Sequence, residues 1–475
     1  MRGEATSGEV AAARNMLAQL DRTGSCARPV RIVAFREGHP DEDQVMLLPC
    51  KDRRSAVCPA CSHTYKGDAW QVVATGLQGG KGVSPDVGLR PRVFATLTAP
   101  SFGAVHTRPS AAGQSHERSR ACRRSNGRDR QQRCPHGQRS ECLIHHGDDD
   151  PLLGQPICPR CFDYSAAVLW NAHVAVLWQR TAKRTLRFIE RQGGVKHGRL
   201  RLSYVKAAEF QRRGLVHVHL VVRVDGNDGP DDPPPDWVTS EVIIEALRTV
   251  VPEAATSVPR IGGGLSRESP IGIHTGLQSR SHTGFGSVTG TGNNDSASTT
   301  IGWGHQMAVT VLAGGHPRLG PEDDRQLAVA AYVAKYATKT ADSTGALTHR
   351  VHGLADIAKL PVNAHQKRLI ETAWRLGSRP ELADLGLHRC AHAFGYRGHV
   401  VTKSLRYSTT FAALRGARAA YRAGTGKGGF EPEAGTHFGY AGRGYDDPST
   451  GMLAFHLAQL ATRPGEGPLG KEGPS

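Results

Sequence analysis

The chain runs to 475 residues, with 38% hydrophobic content and a formal net charge of +17. That length and apolar share can fill the cores of two or three domains, and the basic excess points to a polyanionic partner. Nucleic acid comes ahead of an anionic membrane, because Lys and Arg release counterions from phosphate backbones. The longest apolar run, Ala166 to Trp178, carries Asn171 and His173 and falls short of the ~20 residues of a spanning helix. Arg2, Glu4 and Glu9 break any signal-peptide pattern, so a cytoplasmic protein with reduced cysteines and no membrane association is expected.

In chain order, residues 1–28 are Ala- and Gly-rich without a clear core face and are expected to form a flexible tail. An N-terminal region with a cysteine knuckle follows over 29–90. A main domain is expected over 91–345, opening with a strand at Pro91 to Pro100 whose Val93, Ala95, Leu97 and Ala99 share one face. Within it, 101–165 is an Arg/Cys-rich, zinc-bearing insertion, and 255–300 is a Gly/Ser-rich flexible insertion. Phe162 to Gln192 reads as a long helix, Leu200–Lys206 and Leu215–Val224 as the strands of one hairpin, and Glu241 to Val250 as a short helix. Trp303 to Leu312 returns as a strand and Asp324 to Thr340 as a helix. Residues 360–423 carry three helical patterns, Ala364–Leu376, Glu381–Phe394 and Phe411–Arg422, and 424–475 is expected as a Gly-rich flexible tail.

Two short segments carry chemistry. His217 and His219 are two apart on a strand, so both imidazoles share a face while Val218 and Leu220 point to the core. Two neutral imidazoles begin a divalent-cation site, and Glu209 can face them across the hairpin, hardening the set toward Mg²⁺ or Mn²⁺. Tyr332 and Tyr336 are four apart and stack on one helix face, each followed three residues on by Lys335 or Lys339. A phenolate suits covalent attack on a phosphodiester, and a nearby ammonium offsets the developing charge. Each motif alone also fits a bland role: surface histidines on a half-exposed strand, or core tyrosines on an amphipathic helix.

Eight of the ten cysteines fall between Cys50 and Cys161. Cys58-Pro59-Ala60-Cys61 and Cys158-Pro159-Arg160-Cys161 have the spacing that aims two thiolates at one tetrahedral ion, so one or two structural Zn²⁺ are expected. One grouping joins Cys134, Cys142, Cys158 and Cys161, and a second uses Cys50, Cys58 and Cys61 with His63 or Cys122. A ribbon of the two knuckles alone is the competing arrangement. Cys26 and Cys390 read as ordinary thiols. Near the C-terminal helices, Arg397, Lys403 and Arg406 sit in a donor-rich stretch that suits phosphate contacts, as a solvated loop also would.

In order, Phe94 to Pro100, Glu209 through His219, and Tyr332 through Lys339 resemble the HUH endonuclease superfamily of rolling-circle replication initiators in its two-tyrosine form. The run from Val30 to Arg422 is similar to the replication initiators of actinobacterial plasmids and integrative elements, the RepSA type. Cys158 to Tyr164, Val168 to His173 and Tyr396 to Ser404 add to the likeness. The resemblance implies an α+β fold: an HUH-type antiparallel sheet with flanking helices, a zinc-bearing insertion and a helical C-terminal part. It implies a nickase with strand-transfer activity, binding metal through His217, His219 and Glu209 and attacking through Tyr332 or Tyr336 with Lys335 and Lys339 beside them. The substrate would be single-stranded origin DNA, and a host helicase and polymerase would be partners, since Gly424-Thr425-Gly426-Lys427 lacks the spacing of a nucleotide-binding loop. The wording at Gln211-Arg212-Arg213 departs from the superfamily's more frequent pattern. An HUH transposase or relaxase, and a non-catalytic zinc-dependent DNA-binding regulator, are the alternative readings.

Overall fold

The computed structural model describes residues 7–36, 44–108, 122, 133–139, 141–259, 298–312, 328–335, 350–424 and 435–462. Its helices are α1 (Ser7–Thr23), α2 (Pro59–Gln78), α3 (Tyr164–Gln192), α4 (Ser240–Glu253), α5 (328–335), α6 (Leu354–Ala358), α7 (Ala364–Gly377), α8 (Leu387–Cys390), α9 (Phe411–Gly424) and α10 (Pro448–Ala461). The strands are β1 (Val30–Arg36), β2 (Gln44–Leu48), β3 (Arg92–Leu97), β4 (Leu200–Phe210), β5 (Val216–Gly226), β6 (Ala255–Pro259), β7 (Ser298–Gly302), β8 (Met307–Val311), β9 (Val401–Lys403) and β10 (Thr436–Arg443). The fold is α+β, its sheets antiparallel, with a helical C-terminal part. No described helix is long and apolar enough to cross a membrane.

The chain divides into two compact units. The first takes residues 1–85, 323–339 and 408–475, and the second 86–322 and 340–407. In the first, β1 is the middle strand of a three-stranded sheet, order β10-β1-β2. The segments read as tails from composition contain α1, β10 and α10. Thr23 Oγ1 lies 2.7 Å from the Tyr445 hydroxyl, which in turn donates to the Cys26 carbonyl at 2.8 Å. Leu20, Tyr445 and Ala454 bury a small cluster there. The Gly-rich composition hid β10 because its partner, β1, is some four hundred residues away and supplies the ladder.

The second unit is built on a five-stranded antiparallel sheet, order β8-β3-β5-β4-β9. One face of β3 and β5, with Val93, Ala95, Leu97, Val218, Leu220 and Val222, buries against Trp170, Leu177 and Trp178 of α3 and Leu369, Ile370 and Ala373 of α7. Each fully buried aliphatic or aromatic side chain there stabilises the unit by about 1.5–3 kcal/mol. The long helix begins where Asp163 caps it, its carboxylate accepting from Ala166 N at 2.9 Å. The stretch Glu381 to Phe394, expected as one helix, breaks into short turns at Gly386, which adopts the left-handed region at φ 55°. The donor-rich stretch after Arg397 is no free loop, since β9 closes the edge of the sheet against β4. The Gly/Ser insertion lies mostly outside the described residues, although its flanks pair as the β6–β7 hairpin.

Candidate metal centres

The β4–β5 hairpin brings its three candidate ligands together as alternation requires. Glu209 pairs with His217, and Ala207 and Thr96 flank His219, so all lie on the face turned away from α3. His219 Nε2 is 3.2 Å from Glu209 Oε2, and its Nδ1 is 3.2 Å from Thr96 Oγ1. The two imidazole rings are 4.8 Å apart, and Phe94 stacks beside His219 at 6.0 Å. Burial, reinforced by His219 next to it, pushes the His217 imidazole down to about 4, which keeps it neutral at physiological pH.

Residues passed over by the sequence reading hold this face in place. The turn Gln211-Arg212-Arg213 works as a brace. Arg213 donates from Nη2 to the Ala99 carbonyl at 3.1 Å and from Nε to Gln211 Oε1 at 2.9 Å, and the Gln211 amide nitrogen meets His217 Nδ1 at 3.0 Å. Asn171, fully buried in α3, donates to the Gly214 and Phe394 carbonyls at 2.9 and 3.0 Å and accepts from Val216 N at 3.0 Å, fixing the start of β5. Gly214 sits at φ 75°, and a Cβ there would lie 2.3 Å from Leu369 Cδ1. His365 bridges the Arg213 carbonyl and the Tyr164 hydroxyl, both at 3.1 Å. A polar Asn inside the longest apolar helix was the available signal for this brace.

These donors suit a hard cation in part as they stand. Cis ligands on a Mg²⁺-sized ion lie ~3 Å apart, so Glu209 and His219 are already at ligand spacing. The His217 hydrogen-bond pattern puts its proton on Nε2, and ligation through that nitrogen asks the Gln211 amide to turn over and accept from Nδ1. The three are not among the groups whose donors all lie within 4.8 Å of one another.

Among the described residues, three other groups are. Cys26, Cys50, Cys58 and Cys61 converge in the first unit; His106, Cys122, Cys142 and His146, and separately Cys134, His136, Cys158 and Cys161, converge in the second. Each could hold a metal ion such as zinc. The grouping differs from the sequence reading: Cys142 leaves Cys134, Cys158 and Cys161, whose fourth partner is His136, and the place left for His63 or Cys122 beside Cys50, Cys58 and Cys61 is taken by Cys26. The reason is tertiary, since Cys26 lies outside the knuckle's local sequence and meets Cys58 only in the folded chain. Cys390 stays apart, hydrogen bonded to backbone carbonyls, its thiol pushed up to about 11 by burial. In the first group the hydrogen bond with Cys26 holds the Cys58 thiol far below its ordinary value and drives Cys61 far above, the mark of close sulfurs competing for few protons.

Tyr332 and Lys335 lie on α5, exposed, with Ala330, Val333 and Ala334 buried behind them. They belong to the first unit, whereas the histidine face belongs to the second. Tyr336 and Lys339 fall outside the described residues. Arg397 is exposed, Lys403 donates to the Ser404 and Leu405 carbonyls, and Arg406 donates to the Asp228 carbonyl at 2.9 Å.

Fold and sites together define an antiparallel α+β protein with a histidine–carboxylate face and Cys/His metal-ligand groups. A family model described as "Replication initiator protein, pSAM2" matches residues 12–459, so the chain belongs to this RepSA family. A replication initiator protein of Streptomyces ambofaciens is 36% identical over 427 residues, covering 85% of this chain and 79% of that relative. No solved structure matches.

Proposed function

We propose that the protein initiates rolling-circle replication as an HUH-type nickase, cutting one strand of a plasmid or integrative-element origin and later rejoining it. The observation that carries this is the hairpin register, which sets Glu209 opposite His217 and within reach of His219 on a strand face whose rings are oriented by Thr96 and Gln211. His217, His219 and Glu209 would hold Mg²⁺ or Mn²⁺, which would supply polarisation of the scissile phosphate. The hydroxyl oxygen of Tyr332 or Tyr336 forms a bond to phosphorus while the bond from phosphorus to the 3′ oxygen breaks. The phenol gives up its proton, and the departing 3′ oxygen takes one up. Lys335 and Lys339 offset the charge of the phenolate and the five-bonded phosphorus. The product is a 5′-phosphotyrosine and a free 3′ hydroxyl for a polymerase. Because the phosphoester energy is conserved, the second tyrosine can cut the regenerated site and the freed 3′ hydroxyl can close the circle.

Membership of a replication initiator family and the charge of +17 support origin DNA as the substrate, with Arg397, Lys403 and Arg406 as phosphate contacts and the cytoplasm as the place of work. A host helicase and polymerase supply strand separation and synthesis. The Cys/His groups serve as structural zinc sites. The test is incubation of single-stranded origin DNA with the protein and Mn²⁺, followed by denaturing electrophoresis. A covalent protein–DNA adduct is expected from the wild type. Loss of the adduct in only one of Tyr332→Phe and Tyr336→Phe identifies the initiating nucleophile, and a wild type that forms none sinks the reading.

A further inference from the structure

Along the chain the ligands of the second unit come in four pairs: His106 and Cys122, Cys134 and His136, Cys142 and His146, Cys158 and Cys161. The first and third pairs converge, as do the second and fourth. We propose that the protein binds three structural zinc ions, and that two of them cross-brace residues 106–161 so that neither is held without the other. The proposal rests on the reading of these groups as zinc ligands and is independent of the nicking chemistry.

The donor separations fit the ion. A tetrahedron with Zn–S near 2.3 Å and Zn–N near 2.0 Å has edges of about 3.8 Å between sulfurs, about 3.5 Å between sulfur and nitrogen, and about 3.3 Å between nitrogens. Cys26 and Cys58 sulfurs are 3.8 Å apart. Cys142 Sγ to His146 Nε2 is 3.5 Å, Cys122 Sγ to His106 Nδ1 is 3.9 Å, and the two imidazole nitrogens are 3.2 Å apart. Cys158 Sγ and Cys161 Sγ lie 3.7 and 3.2 Å from His136 Nδ1. Four donors in each group leave no open position, which assigns a structural role, and mixed thiolate and imidazole sets favour zinc over harder cations.

The surroundings are those of ligands. His146 turns its other nitrogen to Asp150 Oδ2 at 2.6 Å, which fixes the tautomer with Nε2 toward the cluster, and Asp150 is itself held by Leu152 N at 2.8 Å. Backbone N–H groups donate to sulfur at Cys26, Cys50, Cys58 and Cys122. Over the same stretch Leu143, Ile144 and Leu152 are exposed while Cys122, Cys142, Cys158 and His146 are buried. The donors occupy the position an apolar core takes elsewhere, as in small folds that a metal holds closed.

The crossing decides how the ions leave. The loop closed by His106, Cys122, Cys142 and His146 contains Cys134 and His136, half of the other centre's ligands. Releasing one ion therefore frees the segment that presents the other. The four-cysteine group lies in the other unit and shares no ligand segment with either.

Native mass spectrometry of the full chain, isolated without chelator, tests this. The wild type is expected to carry three zinc ions. Cys26→Ser should leave two, whereas His146→Ala should leave one, because both cross-braced ions depart together. His136→Cys, which keeps four soft donors, should retain three and shows that losses elsewhere reflect ligation and not general misfolding. A folded wild type with no zinc would remove the zinc assignment altogether. One or two ions in the wild type would overturn the count, and two ions in His146→Ala would overturn the cross-brace.

Discussion

The histidine face and the Cys/His groups are both built from side chains that suit metals, yet they are finished to different degrees. In the Cys/His groups all four donors have converged, and no position is left for a substrate. On the histidine face only Glu209 and His219 have closed to ligand distance, while His217 is engaged by Gln211. The difference is the one that the proposed roles call for. A structural ion must be enclosed by the protein alone, whereas a Mg²⁺-class ion that handles phosphate takes part of its shell from water and substrate, so a partial set held by outer hydrogen bonds is sufficient.

Separating the two kinds of centre gives the largest expected effect. His219→Ala should lower adduct formation by at least about 10²-fold, the scale of losing a group that stabilises the transition state, with zinc content unchanged. A fall in bound zinc in that variant would break the distinction. Gly214→Ala comes next: a positive φ and a Cβ against Leu369 should cost roughly 2–4 kcal/mol, measured by urea denaturation, and should weaken nicking through the displaced hairpin. A smaller change is expected from Gln211→Ala, an outer-shell loss that should raise the Mn²⁺ concentration for half-maximal nicking by about 10-fold with little effect on stability. No shift in that concentration would mean that Gln211 does not orient His217.

The most gradual effect is on pH. Burial pushes His365 from 6.5 down to about 4, so between those values the unfolded chain binds a proton that the native state refuses. This group leaves stability unchanged above about 6.5, lowers it by at most about 1.4 kcal/mol per pH unit as pH falls, and adds no further slope below about 4. Comparing urea midpoints of the wild type and His365→Gln across that range should show a flatter profile in the variant. Identical slopes would place the proton uptake elsewhere.

Much of the second unit was legible because its signals are local. Alternation in Val93, Ala95 and Leu97 marked β3, the Gly-turned hairpin marked β4 and β5, and His217 and His219 on one strand had to share a face. The helix of Phe162 to Gln192 was equally plain from its stripe. Gly386 broke the expected helix over Glu381 to Phe394 because its left-handed turn is decided by how the short turns pack, not by apolar spacing.

By itself, then, the amino-acid order determined the strand bearing the histidines, the helix bearing Tyr332 and the presence of cysteine knuckles, since each depends on neighbours within a few residues. Only the tertiary structure decided what meets across long separations. It set Cys26 beside Cys58, alternated the His106-to-Cys161 ligands between two centres, paired β10 with β1, and turned Arg213, Gln211 and Asn171 into the brace of the histidine face. The physical reason is the same throughout: ligand sets, strand edges and buried amides are satisfied by whichever group the folded chain delivers, and sequence distance places no bound on which group that is.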